Sequence, residues 1–514
     1  MSNKSQLYEL IKSLNRSEKG YFKKVYSQNV LGKKNQYIEL FDAIDAQEVY
    51  DGDALMKQFN DKKIFEQLSV AKNYLYKIIL KSLRSYYSQS SIDIELNEVL
   101  VNIEILYNKR LIEACKKEIQ KAEELIEKYE IPQKFSEIAR WQKLLMNQRS
   151  NSTDLGPSRR ELYEKEKMYT EMLDNLTEYS YLSFQLYSTY TKMGMARHTD
   201  MLQLSDQIVS HPLLQDDSLA KSTRAKSFFY NIRAKYSEIR NDFESTHKYN
   251  KLFVELLENK PGYTKYNLLG YVPGLYNLIL SSVRLRQRDD VLYALEKLKA
   301  VPKNFEVPKE YELTIKLMAL NGELFFHLNF GQFEEAVQAA KEAIGVLNED
   351  TGKQVPQLYI EIYYFIAYAY FGNGMNDKAL VWLNRIINNG SYFPREDMLC
   401  YARILNLLCH YELGNERFVE YNLKSTYRFL SKMKKVYKFE TVILSFIKLQ
   451  LKTSSRVLVK ERLLTLRKEL IAISQDPFEH NAFEHFDFVA WIDSKIEGRS
   501  FMSIVKEHNK TDAS

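Results

Sequence analysis

Apolar residues recur every three or four positions along most of the chain, which is the period of amphipathic helices. In the first ninety residues the clearest stripe runs from Ile64 to Tyr86, with lysine and arginine residues on the other positions. We expect this helix to begin at Asn60 or Asp61, because both side chains are good helix caps. Residues 1–90 therefore predict a basic helical N-terminal module.

The next stretch predicts a helical hairpin and one further helix. Its apolar segments are Ile94–Tyr107 and Leu111–Tyr129, and a third segment runs through Trp141. Residues 148–160 are rich in Ser, Asn, Gly and Pro, so we expect a long loop or a flexible joint there.

From Tyr163 onward the pattern predicts a series of helical hairpins. In each of the last four hairpins we align one equivalent position, at which the residue is small or lies far from the turn. These positions are Ala294, Ala336, Ala379 and Glu420. The intervals are 42, 43 and 41 residues, and a recurring interval of this size is typical of helical-repeat arrays.

The clearest hairpin is Tyr363–Ile386. Two antiparallel helices can pack closely only where a small residue lies at their crossing, and Ala367 and Ala379 have the required positions. Between them, Gly372 and Gly374 predict a turn with a positive φ angle.

This hairpin resembles the tetratricopeptide-repeat family. Tyr363 matches its first large residue, Ile366-Ala367 its Leu-small pair, and Tyr370, Ala379 and Leu383 the later positions. The resemblance is best over 275–430 and is extended by periodicity to 92–470, although the family period is about 34 residues, which leaves open related superhelices with longer repeats. It implies an all-α, right-handed superhelix (α-solenoid) of antiparallel hairpins, whose concave face binds a protein or peptide.

The resemblance also implies which residues contact a ligand, because the family uses fixed positions of the first helix of each hairpin. The corresponding residues here are Arg286, Gln287, Asn321, Phe325, Asn329, Glu361, Tyr364, Tyr368 and Phe371. Exposed aromatic rings beside amides suit an extended peptide. The alternative is that the aromatic residues pack against the neighbouring repeat.

Composition adds an ordinary soluble character. The chain has 514 residues with only 17 glycines and 10 prolines, so long helices arranged in several domains or an open array are expected. Three cysteines indicate a reducing compartment without a disulfide framework. The longest apolar run, Ile362–Phe371, is far shorter than the roughly 20 residues of a membrane span. We therefore expect a cytoplasmic protein without a membrane partner.

Charge is concentrated in two regions. Residues 1–90 hold 15 basic and 10 acidic residues, net +5, and residues 424–468 hold 13 and 2, net +11. The second region contains a basic patch of Lys432, Lys434, Lys435, Lys438, Lys448, Lys452 and Arg456, interleaved with aromatic residues. It suits nucleic-acid phosphates, or else forms the solvated face of helices, or meets the acidic, aromatic segment 471–514 that we expect to cap the array.

No catalytic signature stands out. The sequence has no G-x-S-x-G elbow and no phosphate-binding glycine loop. His480 and His485 have the wrong spacing for a helical zinc site, and the side chains of Cys409 and His410 diverge by about 100° on a helix. We expect no catalytic, cofactor or metal site.

The resulting hypothesis is a non-enzymatic scaffold or adaptor that binds a protein or peptide. The alternative is a nucleic-acid-associated regulator that contacts phosphates through 1–90 or 424–468. The sequence leaves the oligomeric state open.

Overall fold

The computed structural model shows an all-α protein, which confirms the predicted class. It describes residues 3–27, 36–59, 68–87, 92–147, 159–193, 199–349, 356–389, 395–432, 437–451, 456–476 and 479–511. These residues form helices joined by turns and contain no β-strand. They divide into two compact units, Met1–Tyr169 and Thr170–Ser514.

The first unit contains two kinds of packing. Its helices are α1 (Asn3–Ser13), α2 (Arg16–Ser27), α3 (Gln36–Asp45), α4 (Gly52–Gln58), α5 (Leu68–Tyr86), α6 (Ile92–Asn108), α7 (Ile112–Tyr129), α8 (Phe135–Asn147) and the beginning of α9 (Arg159–Met193). Helices α1–α5 share a core around Phe22, Phe41 and Leu75. Helices α6 and α7 form the predicted hairpin, and α8 packs against both of them.

The second unit is a succession of helical hairpins. After α9 come α10 (Thr199–Val209), α11 (Thr223–Ile239), α12 (Phe243–Glu258), α13 (Pro261–Tyr266), α14 (Leu268–Arg284), α15 (Arg288–Asn304), α16 (Lys309–Asn329), α17 (Phe333–Glu349), α18 (Pro356–Gly372), α19 (Asn376–Asn388), α20 (Glu396–Glu412), α21 (Glu416–Leu430), α22 (Lys438–Gln450), α23 (Arg456–Ser474), α24 (His480–His485), α25 (Phe488–Glu497) and α26 (Phe501–Thr511). Each first helix of the hairpins α14/α15, α16/α17, α18/α19 and α20/α21 packs on the first helix of the next. Consecutive packing of this kind is consistent with a helical repeat.

The hairpins share one turn geometry. The residue at the turn has a positive φ angle in six of them: Arg110, Asn241, Arg286, Gly331, Gly374 and Gly414. The next residue donates its backbone N–H to a carbonyl five residues earlier, as Met375 does to Tyr370 at 2.8 Å. This is the Schellman geometry, which satisfies the last carbonyls of the first helix. The repeat is therefore more regular in its turns than in its sequence.

The predicted small positions are in register in two hairpins, at Ala336 and Ala379, and out of register in the other two. In α15 the residue equivalent to Ala379 is Val291, since each lies five residues after the positive-φ residue of its turn. Ala294, Ala336 and Ala379 are fully buried, whereas Glu420 is exposed and pairs with Lys424 at 2.8 Å. The buried position of α21 belongs to the preceding residue, Val419. The prediction was shifted by one residue because no small residue marks this crossing.

Several sequence predictions are not decided by the structure. The helix start at Asn60 or Asp61 lies outside the described residues, as does most of the 148–160 loop. The boundaries 1–90, 92–470 and 471–514 stay predictions. No described helix has both the length and the apolar character needed to cross a bilayer.

Candidate functional site

Most of the predicted ligand-contacting residues share one surface of the second unit. On α16, Asn321 and Phe325 are four residues apart, and on α18, Glu361, Tyr364 and Tyr368 are spaced by three and four. Such spacing places residues on one side of a helix, and α16 packs directly on α18. We call this surface, with Phe371, the α16–α18 face.

The aromatic residues of the α16–α18 face are buried. Tyr364 is 1% exposed, and Phe325, Tyr368 and Phe371 are less than 7% exposed. Their cover is partly the chain's own segment 479–511, which comprises α24, α25 and α26. The expected exposure of these rings is therefore wrong: they pack within the core of the second unit.

Two tyrosine hydroxyls bind the backbone of the 479–511 segment. The Tyr364 hydroxyl donates to the His485 carbonyl at 3.3 Å, and the Tyr368 hydroxyl accepts the Asp487 N–H at 3.4 Å. Between these residues the backbone is extended, with Phe486 at φ −156° and ψ 130°. An extended backbone exposes its N–H and C=O groups, so side chains of the face can satisfy them.

Aromatic side chains of the same segment also pack against the α16–α18 face. The Phe486 ring lies 5.2 Å from the Tyr368 ring and 5.3 Å from the Phe371 ring, and it stacks on Phe501 at 5.5 Å. Phe501 also contacts Phe333, at the start of α17. Edge-to-face and stacked ring pairs at these distances are favourable beyond their buried area.

Polar contacts hold the flanks of the segment at successive hairpins. Glu412 accepts from the indole N–H of Trp491 at 2.7 Å and pairs with Lys495. Lys506 pairs with Glu334 at 3.0 Å. The segment thus contacts the α16/α17, α18/α19 and α20/α21 hairpins.

Arg286 and Asn329 lie beside the far end of this segment. Arg286 donates to the Asn329 carbonyl and, at 2.9 Å, to the side chain of Asn509 in α26. Gln287 is exposed at the beginning of α15. Of the nine predicted residues, Arg286 and Asn329 therefore lie next to the segment, at the hairpin turns.

A cavity of about 250 Å³ adjoins the α16–α18 face. Phe325 and Glu361 line it together with Tyr276, Arg284 and residues of α9, α11 and α12. His485 of the 479–511 segment forms part of its wall. The cavity thus lies between the first helices and the segment that covers them.

Ion pairs surround the cavity. Arg395 bonds to Glu361 at 3.0 Å and to Asp397 at 2.6 Å. Arg284 bonds to Glu484 at 3.0 Å and approaches Glu238 at 3.6 Å. Each guanidinium is therefore neutralised by carboxylates from two places in the chain.

A hydrogen-bond chain connects the cavity to α16. Asn321 donates to the Tyr276 hydroxyl at 2.6 Å and to Glu361 at 3.3 Å. Burial raises the pKa of Tyr276 well above its usual value, and the Glu361 carboxylate adds to this effect. Tyr276 therefore stays protonated and can donate to Glu361.

Burial has opposite consequences for two other groups at the cavity. Burial alone would raise the pKa of Glu238, but Lys235 and Arg284 together outweigh it and lower that pKa to about 2. Burial lowers the pKa of His485 to about 3, and Arg395 acts in the same direction. At neutral pH the glutamate is charged and the histidine is neutral.

Sequence reasoning missed the charged part of this site. The missed residues are Lys235, Glu238, Arg284, Arg395 and His485. Glu484, for example, bonds to Arg284, which is 200 residues away in the chain. Lys235 and Glu238 are three residues apart on α11, but no local pattern marks the partners of Arg284, because they lie on α11 and α24.

The basic patch is described only in part. Lys432, Lys438 and Lys448 are exposed, and Lys438 pairs with Asp476 at 3.0 Å. Lys434, Lys435 and Lys452 and the side chain of Arg456 lie outside the described residues. Among the interleaved aromatic residues, Phe439 and Phe446 belong to the core, whereas Tyr427 is 55% exposed. The internal contact with the acidic segment is thus present at Lys438.

Comparison with known proteins assigns no family: no protein-family model matches the chain, and no curated protein matches it in sequence.

Proposed function

We propose that this protein is a non-enzymatic, cytoplasmic scaffold whose second unit binds a polypeptide on the α16–α18 face. In this proposal the hairpins form a right-handed superhelix of the tetratricopeptide kind. The observation that carries the proposal is the binding of backbone atoms on either side of the extended residue Phe486, the His485 carbonyl and the Asp487 N–H, by Tyr364 and Tyr368.

Those two contacts favour polypeptide recognition because they involve backbone atoms. A backbone carbonyl and N–H are present in any extended peptide, whereas the ring contacts of Phe486 select an aromatic side chain. A partner that presents an extended, aromatic segment can therefore use the same contacts. It would compete with the 479–511 segment.

The test makes this competition measurable. Residues 477 and 478 are replaced by a protease recognition sequence, and the purified chain is cut there so that 479–511 is held without a covalent link. Peptides selected from a random library on the cut protein are then titrated against a fluorescently labelled 479–511 peptide. We expect them to displace it.

Hydroxyl deletion shows whether displacement occurs at the α16–α18 face. In the double variant Tyr364→Phe, Tyr368→Phe, the loss of two hydrogen bonds of about 1 kcal/mol each should weaken binding of the labelled peptide and of the selected peptides roughly 30-fold. Tyr359→Phe is the matched control, since the hydroxyl of this buried α18 tyrosine has no partner among the described residues. Selected peptides that bind without displacing 479–511 would refute the proposal.

The nucleic-acid alternative stays a prediction, supported by the exposure of Lys432 and Lys448. It requires binding of labelled DNA or RNA that weakens steeply between about 50 and about 200 mM salt. Lys432→Glu, Lys448→Glu should abolish such binding. Salt-steep binding that this variant lacks would replace the scaffold proposal as the primary function.

A further inference from the structure

The cavity beside the α16–α18 face is large enough for more than solvent. Its volume of about 250 Å³ far exceeds the roughly 15 Å³ that one water needs and approaches the roughly 300 Å³ of the smaller ligand sites. A molecule of monosaccharide size matches this space.

The cavity wall has unused hydrogen-bonding capacity. Asn231 and Asn277 line the cavity, and within the described part of the chain their carboxamides have no hydrogen-bonding partner. The Nδ1 atom of His485 is buried and likewise has no partner there. Carboxamides both donate and accept, so these groups favour a ligand that carries hydroxyl or amide groups.

The charged groups around the cavity are already paired with one another, with one carboxylate in excess. Three cations (Lys235, Arg284 and Arg395) face four carboxylates (Glu238, Glu361, Asp397 and Glu484), and each cation lies within 4 Å of at least one carboxylate. An anionic ligand would add to this excess negative charge, and a cationic ligand would compete with cations that are already paired, so both are costly in a partly buried place. An uncharged ligand only replaces hydrogen bonds to water.

One wall of the cavity is apolar. Phe325 and Phe365 line it, with their rings 5.4 Å apart, and the His485 ring stacks on Phe365 at 6.2 Å. This wall suits a ligand with a C–H face opposite its polar groups.

We propose that the cavity is a binding site for an uncharged polar molecule of about monosaccharide size, bearing hydroxyl or amide groups. The ligand bonds to Asn231, Asn277 and His485 and packs on Phe325 and Phe365. Because His485 belongs to the 479–511 segment, the bound molecule also contacts that segment. The site requires the 479–511 segment to be in place, whether or not a partner polypeptide can displace that segment.

Four sugars of similar size distinguish the effect of ligand charge from the effect of ligand shape. Glucose and N-acetylglucosamine are uncharged, glucosamine is taken as its ammonium form, and glucose 6-phosphate is anionic. Their binding to the full chain is measured by saturation-transfer NMR and by calorimetry. We expect at least one uncharged member to bind, and both charged members to bind at least about tenfold more weakly, which corresponds to about 1.4 kcal/mol.

Substitution of two lining residues tests whether the probe binds in the cavity. Asn231→Leu, Asn277→Leu retains side-chain size and removes the amides, so it should weaken binding of the uncharged probe at least about tenfold. Asn304→Leu is the matched control, because Asn304 is exposed at the end of α15, a helix that contributes no described lining residue. Unfolding midpoints of both variants show whether each one is folded.

Three results would overturn the proposal. The first is that no probe binds at about 10 mM, a concentration at which a binding free energy of about 3 kcal/mol would be detected. The second is equal or tighter binding of a charged member. The third is unchanged binding in the folded Asn231→Leu, Asn277→Leu variant.

Discussion

Gly372 and Gly374 stand two residues apart, and each is glycine for a different physical reason. Gly374 has φ +72°, a conformation that costs other residues free energy. Gly372 is helical, but a methyl group there would overlap the Phe333 ring of the preceding hairpin. The sequence predicted a turn requirement for this pair, and only the structure shows the packing requirement.

Whether a helical glycine has space for a methyl group decides the effect of alanine on the free energy of unfolding, as two helices should show. Gly372→Ala should reduce the free energy of unfolding by about 1–3 kcal/mol, because overpacking displaces Phe333. Gly345→Ala in α17 should raise it by about 0.5–1 kcal/mol, since nothing lies within 4 Å of the added methyl and alanine favours the helix. Urea unfolding measures both. A stabilising Gly372→Ala would contradict the packing.

At the same scale, His485 should make stability depend on pH. Its pKa is lowered from 6.5 to about 3 by burial and by the nearby Arg395 and Arg284, opposed by Asp397. Between these values the unfolded chain binds a proton that the folded chain does not. The contribution is therefore complete above pH 6.5 and is lost as the pH falls towards 3, by at most about 1.4 kcal/mol per pH unit.

The measurement compares wild type with His485→Phe, which keeps a ring against Phe365. Between about pH 7 and about pH 5, the free energy of unfolding should fall less in the variant. The lowered pKa of Glu238 affects stability mainly below its ordinary pKa of 4.5, outside this range. Equal slopes for the two proteins would refute the assignment.

At the scale of elements, the recurrent turn explains why degenerate sequences form similar hairpins. The Schellman geometry requires one left-handed residue and otherwise accepts varied neighbours. Glycine occupies that position in the turns after α16, α18 and α20, whereas Arg110 occupies it after α6. The repeat signal in sequence is correspondingly weak outside the glycine-containing hairpins.

Substituting the positive-φ residue in two turns should change the free energy of unfolding in opposite directions. Arg110→Gly should raise the free energy of unfolding by up to about 1 kcal/mol, because Arg110 is exposed and has φ +61°. Gly374→Ala should lower it by about 1 kcal/mol, since alanine is strained at positive φ although space is available. Denaturant midpoints test both, and a destabilising Arg110→Gly would show that its side chain matters more than its backbone.

At the scale of the second unit, the 479–511 segment is a separate layer on the hairpins. It is held by the rings of Phe486 and Phe501 and by Glu412 and Glu334. Its contacts include that of Asp493 with Arg467, 26 positions earlier, and that of Glu484 with Arg284, 200 positions earlier. Release of the segment would leave the contacts among α14–α21 in place, but it would break the contacts of α24 and α25 with α23.

Phe501→Ala should release the segment locally. Loss of the ring contacts with Phe333, Tyr368 and Phe371 should raise amide exchange in 479–511 about a hundredfold, corresponding to about 3 kcal/mol. Exchange in the α11/α12 hairpin should stay unchanged. Phe418→Ala, at a ring that is 58% exposed, is the control and should leave the segment protected. A uniform increase throughout the second unit would show that the segment is not a separate layer.

The sequence by itself determined the helices, most hairpin positions and the buried Ala294, Ala336 and Ala379, because helical periodicity and turn preference act over a few residues. It also placed Asn321, Phe325, Glu361, Tyr364 and Tyr368 on one face, since spacing within a helix is local. Only the tertiary structure decided that the 479–511 segment covers this face and that Arg284 and Glu484 meet there. Contacts between residues about 100–200 positions apart depend on how whole hairpins stack, and no short-range pattern encodes that stacking.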